Sequence, residues 1–117
     1  MTAPALVRRG IAYPRARQRR AVGIPPESEK HFQQTVVDMA HMFGWAVQFT
    51  HDSRHSPSGW PDLFLARNGH MVAAELKKHD GIVTPEQTLW LERLRQCGAQ
   101  VFVWRPADKP EIARVLR

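Results

Sequence analysis

The dipeptide Asn68-Gly69 constrains this chain more than any other feature. It stands between two apolar runs, Leu63-Phe64-Leu65-Ala66 and Met71-Val72-Ala73-Ala74. Asn-Gly readily adopts the two positive φ angles of a two-residue hairpin loop, and the apolar runs supply its strands. The spacing predicts antiparallel strands near 61–67 and 70–77. Such a hairpin brings the start of its first strand beside the end of its second, so Asp62 meets Glu75 and Lys77. Those two are separated by one residue and share a face of the sheet. A pair of carboxylates can hold a divalent cation through oxygen, and an amine beside them gives a site able to hydrolyse a phosphodiester.

The rest of the chain reads as elements that cover this hairpin. Ser28 caps a helix running to about Phe43, with Phe32, Val36, Ala40 and Phe43 at helical spacing, and Gly44 ends it. Trp45–Phe49 reads as a strand, and His51 to Gly59 as a polar loop broken by Pro57 and Gly59. After a turn at His79-Asp80-Gly81, Thr84 and Pro85 open a second helix as N-cap and first residue. Its buried side is predicted at Leu89, Trp90, Leu94 and Cys97, with Gly98 closing it. Gln100–Trp104 reads as a further strand and 108–116 as a short terminal helix. The order α-β-β-β-α-β-α predicts an α/β fold with a mixed central sheet flanked by helices. A chain of 117 residues has room for one such domain, and it contains no internal repeats.

Charge divides the chain differently. The formal net charge is +6. Arg8, Arg9, Arg15, Arg17, Arg19 and Arg20 account for all of it, because the 11 basic and 11 acidic residues beyond position 25 cancel. With Pro4, Pro14, Pro25 and Pro26 and little apolar periodicity, residues 1–26 read as a flexible arginine-rich arm and 27–117 as the folded domain. An arginine arm on a neutral body suits a polyanion, although it would also serve as a solubilising extension. No apolar run approaches a membrane span, and the N-terminus lacks the apolar stretch of a secretory signal. A single cysteine, Cys97, forms no internal disulfide; it reads as a small buried helix residue and fits a reducing cytoplasm. The six histidines form no zinc pattern.

Taken together, Glu29-Lys30-His31-Phe32-Gln33, Gly44-Trp45, Gly59-Trp60-Pro61-Asp62-Leu63, Glu75-Leu76-Lys77, Gln87, and Gly98 followed by Val101-Phe102-Val103-Trp104-Arg105-Pro106 resemble the virus-type replication-repair nuclease (VRR-NUC) domain. That domain is a branch of the PD-(D/E)xK nuclease superfamily. The resemblance spans 29 to 106 and implies a restriction-endonuclease-like fold. It implies a metal-dependent deoxyribonuclease using Mg²⁺ or Mn²⁺, with no small-molecule cofactor. Asp62, Glu75 and the backbone carbonyl of Leu76 would be the ligands, with Glu29 completing the acidic pocket directly or through water. Lys77 would help deprotonate the attacking water or stabilise charge developing on phosphorus. Branched DNA, four-way junctions among them, is the implied substrate, and a homodimer the implied assembly. Viral relatives imply a phage product acting in the host cytoplasm.

Each of these residues has a plainer reading. Asp62 after proline suits a turn, and Glu75 and Lys77 suit the polar end of a strand. Glu29 in the first turn of a helix is favoured by the helix dipole. Thr84-x-x-Gln87 is a capping box, whereas the family's glutamine faces the active site; the two roles are compatible. Arg54 and Ser56, in the loop before the motif, and Arg15, Arg17, Arg19 and Arg20 in the arm are candidates for phosphate contact, with solvated loop and arm residues as the alternative. Rival functions are a non-catalytic nucleic-acid-binding module with a vestigial acidic cluster, and a ribosomal or RNA-packaging factor suggested by the arginine arm. Neither gives a reason for Asp62, Glu75 and Lys77 to converge.

Overall fold

The structure, a computed structural model, describes residues 27–50 and 56–117. The elements are α1 (Glu29–Met42), β1 (Ala46–Phe49), β2 (Leu63–Arg67), β3 (His70–Leu76), α2 (Pro85–Gln96), β4 (Gln100–Trp104) and α3 (Lys109–Leu116), with a 3-10 turn at Pro106–Asp108 before α3. This is the expected order. The hairpin strands are shorter than predicted, which leaves Asp62 in a bend just before β2.

Asn68 (φ 49°) and Gly69 (φ 82°) both take the positive φ that the tight turn needs. From there β2 and β3 pair antiparallel in register from Arg67–His70 to Leu63–Ala74. Continuing that register by one residue sets Asp62 opposite Glu75. β1 adds antiparallel to β2, and β4 adds parallel to β3, giving the order β1-β2-β3-β4. A parallel neighbour requires a crossover, and α2 is that crossover.

Alternation along the strands divides the core in two. Leu63, Leu65, Val72, Ala74, Leu76 and Trp104 face α1 and α3 and pack with Phe32, Val36, Val37, Ala40, Ile112 and Leu116. Ser28 fixes the start of α1, its side chain accepting from the His31 amide. On the opposite face Ala73, Val101 and Val103 pack with Leu91 of α2 and with Ala99.

The predicted buried side of α2 needs correction. Leu89 is 49% exposed, Cys97 is exposed, and Leu91 is the fully buried residue. Leu89-Trp90-Leu91 are three successive apolar residues, so spacing alone leaves the phase of the helix open. α2 buries a narrow stripe against β3 and β4, and that contact selects Leu91. Cys97 is the C-cap, past the last helical turn, and so is not packed. Among the described residues no helix is long and apolar enough to cross a membrane.

Candidate active site

The acids gather where β2 begins and β3 ends, on the sheet face that carries α2. Thr50 fixes the approach to Asp62: its hydroxyl donates to the Pro61 carbonyl (3.3 Å) and its amide to the Asp62 carbonyl (3.0 Å). The Asp62 side chain then reaches across the hairpin, where Oδ2 accepts the Leu76 amide at 2.8 Å. This bond takes the place of a ladder bond at the strand end. It ties the first acid to the strand bearing the second.

Glu75 shares its face of β3 with Ala73 and is only 3% exposed. Its Oε2 accepts from Gln87 Nε2 at 2.9 Å and lies 3.7 Å from Lys77 Nζ. Its Oε1 is buried and receives no donor group of the protein, while the carboxyl as a whole lies within hydrogen-bonding reach of Asp62. Burial, and after it the Asp62 carboxylate, push the Glu75 carboxyl up to about 9; Lys77 works in the opposite direction and Glu29 adds to the rise. Without a cation Glu75 is therefore protonated at neutral pH. Glu29 itself is exposed in the first turn of α1, close enough for its charge to be felt at Glu75.

Gln87 forms the expected capping box and reaches Glu75 with the opposite end of the same amide. Oε1 accepts the Thr84 amide (2.9 Å) while Thr84 Oγ1 accepts the Gln87 amide (3.1 Å), which closes the capping box. Nε2 is left to donate to Glu75. Lys77 is held through its backbone, its amide donating to the Trp104 carbonyl at 2.9 Å. Its side chain is 15% exposed, its stem passing beside Gly81.

Arg105, which the sequence reading places in a matched stretch without giving it a role, is a further contributor. It is 8% exposed, and Nη1 donates to the carbonyls of Lys78 (3.0 Å) and Gly81 (2.8 Å). The turn that follows Lys77 is thereby strapped to the end of β4. Asp108 accepts the Arg105 amide at 2.8 Å and fixes that end in turn. The sequence signal was an arginine at a strand end followed by Pro106 and, three residues on, Asp108.

Asp62, Glu75, Lys77 and Gln87 thus converge, with Glu29 in electrostatic range. Ser56 is half-buried six residues upstream of Asp62 and takes no part in these bonds. Arg54 and the arm arginines Arg15, Arg17, Arg19 and Arg20 lie outside the described residues.

The pattern of the VRR-NUC domain family matches residues 9–108, most of the chain. The chain belongs to this family. Membership places it among nucleases, with DNA as the substrate class. The match begins within the segment read as an arm. A solved VRR_NUC domain protein is 20% identical, with 79% of this chain and 87% of that one covered and a TM-score of 0.59. Hjc of Archaeoglobus fulgidus, a Holliday junction resolvase from an archaeal hyperthermophile, is 21% identical over 64% of this chain and 66% of its own, with a TM-score of 0.51. At these identities the likeness is one of fold, and it is the restriction-endonuclease-like fold expected. No curated protein matches the chain.

The residues present fit the divalent cation that the fold implies. Asp62 and Glu75 offer hard oxygen donors side by side, and no donor group of the protein occupies Glu75 Oε1. Among the described residues no three His, Cys, Asp or Glu side chains gather into a complete ligand set. A small cation that keeps several waters and binds one or two carboxylates matches such a site.

Proposed function

We propose that this VRR-NUC chain is a divalent-cation-dependent endonuclease that cuts DNA at branch points such as four-way junctions. The observation that carries the reading is a carboxyl buried to 3% exposure beside a second carboxylate, an amine and an amide. A structural role gives no reason to bury an acid in that company. A resolvase among the proteins of similar fold supports the choice of branched DNA.

Asp62, Glu75 and the Leu76 carbonyl would hold Mg²⁺ or Mn²⁺, which when bound supplies charge neutralisation and Lewis acidity at the phosphate. Asp62 is anchored through Oδ2 on the Leu76 amide, beside the Glu75 carboxyl. Gln87 holds Glu75 through Oε2 and leaves Oε1 without a donor group of the protein. The Lys77 ammonium lies 3.7 Å from Glu75, where it favours the ionised form of that carboxyl and attracts a phosphate. Glu29 adds negative charge at the rim and suits a water-mediated contact. Ser56, Arg54 and Arg15, Arg17, Arg19 and Arg20 are assigned to the DNA backbone, the arginines by charge and Ser56 by hydrogen bonding. Residues 1–26 would serve as a DNA-binding arm on a nuclease domain of 27–117. Two copies related by a twofold axis would present two sites to the two strands of a junction.

The test offers purified protein four-way junction, flap, duplex and single-stranded DNA with Mg²⁺, Mn²⁺ or EDTA. Cation-dependent cutting of the junction in preference to duplex, lost in Asp62→Ala, is the expected result. Cutting that persists in EDTA or in Asp62→Ala overturns the reading. Binding without cutting points to the non-catalytic alternative.

A further inference from the structure

Gly59 lies three residues ahead of Asp62, with φ +85°. It abuts the peptide between Glu86 and Gln87 in the first turn of α2. A Cβ at this position would stand 2.5 Å from the Glu86 carbonyl carbon, 2.6 Å from its oxygen and 2.7 Å from the Gln87 amide nitrogen. These are backbone atoms, which cannot swing aside as the end of a side chain can. The neighbouring Trp60 extends the contact. Its ring stacks on Phe64 of β2 at 5.2 Å and meets Trp90 of α2 edge-on at 5.0 Å. The loop therefore bears on two successive turns of α2.

Both partners in this contact carry part of the site. The loop runs on through buried Pro61 to Asp62, and the turn of α2 beneath Gly59 holds Gln87. We propose that Gly59 and Trp60 are positioning residues for the nuclease reaction, clamping the loop that carries Asp62 to the turn that carries Gln87. Asp62 is bonded to the Leu76 amide and Gln87 to the adjacent Glu75. A displaced α2 turn would draw the amide away from Glu75 and relax the loop behind Asp62 in the same motion. The inference rests on the nuclease reading for its activity arm, but the placement of Gln87 is measurable without cutting.

Gly44 provides the comparison that isolates the clamp. Its φ is also +85°, yet a Cβ there meets nothing within 4 Å. Gly44→Ala and Gly59→Ala share the backbone strain of an L-residue at positive φ, and only the second drives into α2. In Gly59→Ala, kcat on junction DNA is expected to fall about 100-fold with KM within a few-fold, since misplacement near 1 Å has that effect. The side-chain amide NMR signals of Gln87 should move toward the positions of a solvent-exposed glutamine. Gly44→Ala should leave both readouts at wild-type values in the folded protein. Wild-type kcat in Gly59→Ala, or Gln87 signals that stay in place, overturns the proposal. If Gly59→Ala does not fold, Trp60 decides: Trp60→Phe, which keeps an aromatic stack, should retain most activity while Trp60→Ala loses about tenfold. Equal rates for these two variants overturn the clamp. If the wild-type protein does not cut DNA, the nuclease reading fails, and the Gln87 signals alone then support or overturn the clamp.

Discussion

The two faces of β3 are built for different ends. Toward α1 and α3 the strand lays down Val72, Ala74 and Leu76, each buried among apolar neighbours. Toward α2 it begins in the same manner with Ala73 and then sets Glu75 at 3% exposure, with one oxygen unsatisfied and an acid across the hairpin. One face is packed to favour the folded state. The other retains a carboxyl that burial and neighbouring negative charge disfavour in ionised form. Substitutions of similar size on the two faces should therefore act on different quantities.

The strongest way to break this contrast is Glu75→Gln, which keeps the shape and removes the charge. Cleavage should fall by about 10³-fold or more, as for loss of a group central to transition-state electrostatics, while cation-free protein at pH 8 melts no lower than wild type. A variant that cuts normally, or that unfolds, would erase the division between the faces. On the other face, Leu65→Ala should cost about 2–5 kcal/mol in denaturant unfolding. The rate per folded molecule should stay unchanged.

The contrast sharpens with pH. The Glu75 carboxyl is raised from 4.5 to about 9, so between these values the folded state holds a proton that the unfolded chain has released. Its contribution to stability is present below the lower value and is lost as pH rises through the upper one. Cation-free wild type should lose up to about 1.4 kcal/mol per pH unit within that window from this group, and Glu75→Gln should lack this component. For the same reason, adding Mg²⁺ or Mn²⁺ near pH 7.5 should release protons, measurable by calorimetry in buffers of different ionisation enthalpy. The smallest expected effect is that of Thr84→Ala, which removes one half of the capping box. Stability should drop by about 1 kcal/mol, and cutting should slow less than tenfold as Gln87 loosens.

What could be read from the chain beforehand follows the range of the interactions. Asn68-Gly69 declares its hairpin locally, because few residues accept two positive φ angles in succession. Phe32, Val36 and Ala40 declare the face of α1 by recurring every four residues, with Gln33, Gln34 and Thr35 between the first two. Glu75 and Lys77 needed only the period of a strand, and Asp62 only the length of the hairpin. α2 failed this test: Leu89, Trp90 and Leu91 are consecutive, and the sheet beneath them selected Leu91. Gly59 read as a loop breaker because the helix it touches lies more than twenty-five residues further along the chain. The strap from Arg105 to Lys78 and Gly81 is equally distant in sequence. Contacts of this kind depend on the finished topology, and no local pattern announces them.

The double bonding of the Gln87 amide bears on how this protein diversifies. Because one planar group both starts a helix and steers an acid, a lineage cannot adjust these traits one at a time. Exchange of Gln87 for glutamate would preserve the cap yet set a second anion against Glu75, while exchange for lysine would keep a donor and forfeit the cap. Drift at this position is confined by two unrelated demands, and anyone transplanting the helix to another scaffold must carry Thr84 with it.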